Sequence, residues 1–375
     1  MNKMVLVVSA VLVMVLTAGV AKAQQAPVKV NNWVIGGDFA PAGLVKTDGL
    51  IQPIGSIHSS SGDKIVGDDA KANSFVQAFI GRKPVNGFGG EVRFYRFGSS
   101  NDLNSSVAQT DGQIKTWGPD ATPKIVSSAP VLYGPVGYSQ KSSAKVTRFD
   151  ALLNYTVGLS EGTFSFFAGV PVLRVESSED LARSQNFLLY TLNSDRSISA
   201  QAIREDYNYS SMATAKSTHF GLTGGIEGEY CLFSRLSIDG RLAVATFPWG
   251  SGTKADGLFK ATKDIYLTAS SGGVNGTPTQ TLAHLNWAPT AMPYAETVKK
   301  TTTAIDMKVG LKLRVRVSNS VLNIGLSVAR SSLSNAPTAP GYVISDPYAV
   351  GRGVFKPRTT NMSVWSPMLS VGIWF

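Results

Sequence analysis

Ionised side chains that recur at every second position are the part of this sequence with chemistry to offer. Between residues 304 and 317, Asp306, Lys308, Lys312, Arg314 and Arg316 share one parity. Ile305, Met307, Val309, Leu311, Leu313, Val315 and Val317 hold the other. The same alternation puts Glu91 with Arg93, Arg148 with Asp150, Glu227 with Glu229, and Arg235 with Asp239 and Arg241 on the polar faces of other runs. Inside a closed ring of strands, such charges either line water and pass solutes or pair with one another and block the way. Eight basic residues against six acidic ones is close to balance, with a mild preference for anions if water fills the space.

Catalysis has less to work with. The chain has three histidines, His58, His219 and His284, at no metal-ligand spacing, and a single cysteine, Cys231. One cysteine gives neither an intrachain disulfide nor a thiolate cluster, so no cofactor and no metal are expected. A surface protease would need acidic and histidine residues grouped at one rim, and His219 has no partner in the sequence. Cys231 is read as opening a short turn with Leu232, Phe233 and Ser234. The glycines at 221–228 lie within a strand, and those at 250–252 lack the spacing of a phosphate loop. An enzyme is not expected.

Strands must position these charges, because a period of two separates the faces of a strand. The clear runs are residues 71–82 and 88–97, joined by an Asn86-Gly87 turn signal, then 145–159 and 163–176 across Ser160-Glu161-Gly162. Residues 216–230 and 235–247 follow, then 304–317 and 321–330 across Ser318-Asn319-Ser320. A weaker first strand at 31–40 and a last one at 361–375 bring the count to ten. Four short turns alternate with five long loops, at 41–70, 98–144, 177–215, 248–303 and 331–360. Twelve strands are also open, because the second and fourth loops are long enough to hide a pair.

This rhythm is that of a transmembrane antiparallel β-barrel with short periplasmic turns and long extracellular loops. Lys or Arg facing lipid at midplane costs about 2–4 kcal/mol, so the charges are expected to face the lumen. With Glu227 and Glu229 placed near Arg235, Arg314 and Arg316 at the short-turn end, at least one ion pair is expected there. The composition agrees: only 16% of residues are charged, against about 25% in ordinary soluble domains.

The chain begins with Lys3, an apolar run to about Val20 and Ala21-Lys22-Ala23, which together read as a secretory signal peptide over residues 1–23. Residues 24–375 are then the outer-membrane β-barrel. Removing Lys3 and Lys22 from the 35 basic residues leaves 33 against 25 acidic, a charge of about +8. That suits anionic lipopolysaccharide or anionic solutes at a cell surface. No run of Lys and Arg with interleaved aromatics points to nucleic acid.

In residues 361–375, Trp365, Leu369, Val371, Ile373 and Phe375 share a parity, and Ser366, Ser370 and Gly372 the other. Met368 and Trp374 break the pattern, and Pro367 lacks a ladder donor. A strand ending on Phe resembles the closing strand of bacterial outer-membrane β-barrels, which implies that Phe375 is read by the outer-membrane assembly machinery. Residues 149–159, 166–177 and 221–244 resemble the pore-forming outer-membrane family related to the Legionella major outer-membrane protein. The features shared are Asp150 before a short turn, Ala168-Gly169 on the return strand and a Gly-rich strand leading into the next hairpin. That resemblance implies a barrel and pore formation. The expectation is a porin-like protein for passive diffusion of small solutes. The alternative is a closed structural or surface-interaction barrel that acts through its long loops.

Overall fold

A computed structural model describes residues 33–48, 55–59, 62–66, 71–107, 131–192, 198–233, 235–296, 301–344 and 353–375. The signal peptide expected over residues 1–23 lies outside them. Ten antiparallel strands form one ring: β1 (Trp33–Ala40), β2 (Phe75–Arg82), β3 (Gly87–Val107), β4 (Val131–Leu159), β5 (Gly162–Leu192), β6 (Ile198–Phe233), β7 (Leu236–Ala269), β8 (Thr302–Val317), β9 (Ser320–Ile344) and β10 (Gly353–Trp374). Each strand pairs with the next, and β10 returns to β1 from Val34↔Trp374 to Phe39↔Leu369. The N–H of Phe375 donates to the carbonyl of Trp33 at 3.0 Å, and the N–H of Trp33 donates back to Phe375 at 3.3 Å. The seam is thus paired up to the terminal residue, and the ring has no free edge. The ten strands are those expected from alternation.

Tight turns join β2 to β3, β4 to β5, β6 to β7 and β8 to β9 at one end of the ring, the short-turn end. Gly87 there has φ +101°, which a side chain would resist. Asn86 beside it accepts a hydrogen bond from the Gly158 N–H at 2.7 Å, tying that turn to the neighbouring strand. Cys231 is not a turn residue: β6 runs on to Phe233, with Cys231 opposite Ser237.

The other end departs from the sequence reading. Much of what reads as loop is paired strand. β4 to β7 are 29, 31, 36 and 34 residues long, and they stay in register far past the apolar stretches. An eleventh segment, Pro278–Glu296, pairs with the outer half of β7 and does not enter the ring. These extensions are rich in Ser, Thr, Asp and Gly and carry little intrinsic β-preference. Neighbouring strands supply it, because strand preference depends on context more than on residue type. Short strands Lys46–Asp48 and Lys71–Ala72 pair with β10 and β3, and Gly55–Ser59 with Gly62–Val66 forms a separate hairpin.

Side chains sort by parity. Outward stand Val92, Phe149, Leu153, Phe166, Val170, Leu222, Val244, Val309, Val371 and their neighbours, all exposed. Leu313 and Val315 are among them, and Leu311 is half-buried. On β4 and β6 the apolar stretches run over residues 149–159 and 220–230. That is the length of about 9–11 residues that crosses a bilayer at the usual tilt. Among the described residues, no helix is long and apolar enough to cross a membrane, which has no bearing on strands.

Candidate functional site in the barrel interior

The interior is built in layers, each set by how far its residues lie from the short turns. Lowest are Lys312, Arg314 and Glu229. Arg314 donates to Glu229 at 2.7 Å, an ion pair at the end where one was expected. Ser237 donates to the same carboxylate at 2.6 Å, and Lys312 lies 3.2 Å from Asp239.

One turn of the stagger higher, Glu227 gathers cations from three directions. Arg241 donates to it at 2.8 Å, Arg93 at 3.1 Å, and Lys83 reaches it from the β2–β3 turn. Lys83 also lies 2.8 Å from Glu91, which pairs with Arg93 as well. The Arg241 guanidinium stacks on Phe167 with 3.9 Å to the ring centre, and Arg93 sits over Phe79 at 5.1 Å. Level with them Lys308 donates to Asp38 of β1 at 2.6 Å. Glu227 with Arg93 and with Lys83, and Lys308 with Asp38, join strands that are not neighbours, so these pairs run through the interior and not along its wall.

The next layer is a single bridge. Arg148 grips Asp150 with two hydrogen bonds of 2.6 and 2.7 Å and reaches Asp306 at 2.6 Å. Ser331 completes Asp306 with a hydroxyl. All three ionised groups are buried, Asp150 to 1% exposure. Above them Arg148 faces the rings of Tyr95 and Phe247 at 5.2 and 5.9 Å.

Beyond that bridge the interior turns apolar. Phe75, Tyr95, Phe97, Val146, Leu173, Val175, Phe247, Leu333, Met362, Val364 and Met368 form one buried cluster with Val45 and five alanines. Met368, which looked out of place on a polar parity, is 2% exposed within this plug. The parity was right, and the interior at that height is not wet. Further out, β9 contacts β5 and β6 across the ring. The short 3-10 turn Ser270–Asn275 contacts β4 to β6 as well.

Beneath the plug lies a cavity of about 1070 Å³, lined by residues of the short-turn half. It includes Arg235 and Arg316, but these two are exposed and make no ion pair among the described residues. Arg235 was expected on the polar face of a strand; β7 starts one residue later, leaving it in the turn. Sequence reasoning passed over Asp38 and Lys83. Asp38 keeps inward parity with Val34 and Ala40, a signal blurred by Gly36 and Gly37. Lys83 lies in a turn, where parity says nothing.

The histidines do not meet. His219 is buried, its Nε2 has no hydrogen-bond partner, and it faces Gly250 across the ladder. His284, on the outer segment Pro278–Glu296, pairs with Asp264 at an exposed position. His58 lies on the short strand Gly55–Ser59, opposite Asp63. Among the described residues, no group of three or more His, Cys, Asp or Glu is placed to hold a metal ion.

No protein-family model matches the chain, so the resemblance to the Legionella-related family gains no support there, and no curated protein matches it. Solved structures that align with the chain include the outer-membrane protease OmpT of Escherichia coli, at 9% identity and TM-score 0.34, covering 94% of this chain and 99% of that one. The toluene transporter TodX of Pseudomonas putida aligns at 11% identity and TM-score 0.24, over 93% and 90% of the two chains. A FadL homologue of Pseudomonas aeruginosa aligns at 9% and 0.22, over 92% and 89%.

Proposed function

We propose that this chain is an integral barrel of the bacterial outer membrane whose lumen is closed, and that it acts at the cell surface through the long sheet standing above the membrane. The membrane assignment is supported by the outward apolar face, shared by all ten strands. A contiguous exposed apolar surface on that scale is foreign to soluble monomers, whose largest patches reach a few hundred Å². The short turns then face the periplasm and the long strand extensions face outward. On this reading lipid surrounds the belt and lipopolysaccharide its rim. The outer-membrane assembly machinery is the expected reader of Phe375.

The observation that carries the closed reading is the Arg148–Asp306 bridge roofed by the apolar plug. Narrow barrels of about eight strands are filled by their own side chains, and secure water channels need about 16–18. With ten, the outcome rests on the residues. Here opposite charges pair across the interior, and Leu173, Phe247, Met362 and Met368 fill the level above. Planar-bilayer recording of the refolded protein tests it: a closed barrel gives no discrete steps.

A second reading keeps one observation in its favour. The cavity on the short-turn side is roomy and lined with charge, as the vestibule of a porin-like pore for small solutes would be. Stepwise conductance with mild anion preference would establish that reading and remove the first.

A further inference from the structure

On the outside of the ring, the register draws a boundary across β3 to β6. Phe94, Phe149, Val172 and Phe220 stand side by side on the outward parity, and Trp249 of β7 continues the row. The rings of Phe94 and Phe149 pack with centroids 5.0 Å apart. At this row the apolar flanks of β4 and β6 stop. The next row outward is Arg96, Thr147, Arg174 and Thr218, and the one beyond it carries Lys145, Glu176 and Lys216.

Four cations thus share one carboxylate. Glu176 accepts a hydrogen bond from Arg174 and lies 3.6 Å from Lys145. Arg96 and Lys216 make no ion pair among the described residues. All four reach the surroundings of the barrel: the side chains of Arg174 and Lys145 are 58% and 43% exposed, and Arg96 and Lys216 are exposed too. Past them comes a row of hydroxyls, Ser100, Ser143, Ser178 and Thr214. On β8 to β10, by contrast, one cation, Arg330, stands between Met307 and Trp365, and the next row out, Ile305, Ser332 and Ser363, is uncharged.

The place of these cations says what they meet. Exposed Arg and Lys directly above an outward aromatic row, where the length that spans a bilayer ends, face a molecule whose anionic head sits on its own acyl chains. Arg and Lys suit phosphate there, Arg with two parallel donors. The chains lie along Phe149, Val172 and Phe220, and sugar hydroxyls reach the row of Ser and Thr. We propose that the outer face of β3 to β6 holds one lipopolysaccharide molecule, its phosphorylated, acylated sugar base seated on Arg96, Lys145, Arg174 and Lys216. This rests on the reading of the chain as an outer-membrane barrel with periplasmic short turns, which puts the row in the outer leaflet, and adds where and by which groups the lipid is held.

The experiment titrates the full chain, refolded in detergent micelles at low ionic strength, with three lipids. These are lipopolysaccharide, the same lipopolysaccharide freed of its phosphates, and phosphatidylglycerol, which has acyl chains and a phosphate but no sugar base. Trp249 ends the aromatic row, so tryptophan fluorescence can be followed beside calorimetry. Saturable binding of the phosphorylated lipopolysaccharide is expected, at least tenfold tighter than either other lipid. Arg96→Gln combined with Lys216→Gln breaks no ion pair among the described residues and should weaken it at least tenfold, as should Arg174→Gln. Arg82→Gln, an exposed cation at the short-turn end, should leave it within twofold. If Arg174→Gln does not refold, the Arg96 and Lys216 pair and the three-lipid comparison decide alone. No saturable binding, equal affinity for the dephosphorylated form or for phosphatidylglycerol, or a refolded double variant that binds as the parent does would overturn the site. A chain that enters lipid vesicles yet fails this titration loses the site alone, whereas one that stays out of vesicles loses the membrane reading with it.

Discussion

Arg148 on β4 and Asp306 on β8 lie 158 residues apart in sequence and four strands apart around the ring, and they meet at 2.6 Å inside it. Asp150 takes the rest of the same guanidinium. Removing one partner of a buried pair leaves an uncompensated charge, at about 3–5 kcal/mol. Arg148→Ala, which strands two carboxylates, should therefore lower the unfolding midpoint in urea sharply. Adding Asp150→Asn and Asp306→Asn should recover most of that loss. A single variant as stable as the parent would mean that water already reaches the bridge.

Val309 tests the outward face. It is 59% exposed in the middle of β8, with its neighbours on that side all apolar. Val309→Arg in a bilayer should cost about 2–4 kcal/mol. Refolding into lipid vesicles should suffer while the neighbouring inward change Lys308→Arg is tolerated. An indifferent Val309→Arg would place that face in water.

Close approach of strands fixes a third point. A Cβ at Gly169 would overlap the carbonyl oxygen of Ala151, so even alanine forces the β4 and β5 backbones apart. Gly169→Ala should lower the heat stability of the folded band on unboiled gels by several degrees. Gly43→Ala, where no atom stands within 4 Å, should not change it.

Phe375 is joined by two backbone hydrogen bonds to Trp33, and these close the seam at its last residue. Deleting Phe375 removes both bonds and the terminal aromatic. Yield in the outer-membrane fraction should fall severalfold, while refolding in detergent falls less. Equal loss in both would make the residue a matter of seam stability and not of assembly.

Much of the ring was legible because alternation survives wherever one flank is apolar and the other charged, as from Ile305 to Val317. Asp306, Lys308 and Arg314 were found in that way. Met368, which broke the pattern, turned out to be structural. Like Phe167 and Leu173 it sits on the inward parity because parts of the interior are apolar, which no local rule distinguishes from a blurred strand. Partners across the ring, such as Lys83 with Glu227, depend on how strands stagger around the closure, and a period of two carries no such information. The long outer strands were hidden for a related reason: with no apolar flank, the sequence at 177–192 and 198–215 shows no alternation, and only the neighbouring ladders hold these stretches extended.

The seal itself is open to one direct measurement, single-channel recording of the purified parent protein alongside a variant in which Leu173, Phe247 and Met368 are each replaced by Ser. The closed account expects a silent parent and stepwise current from the variant, since the apolar level would then admit water. Regular conductance steps from the parent protein would contradict it.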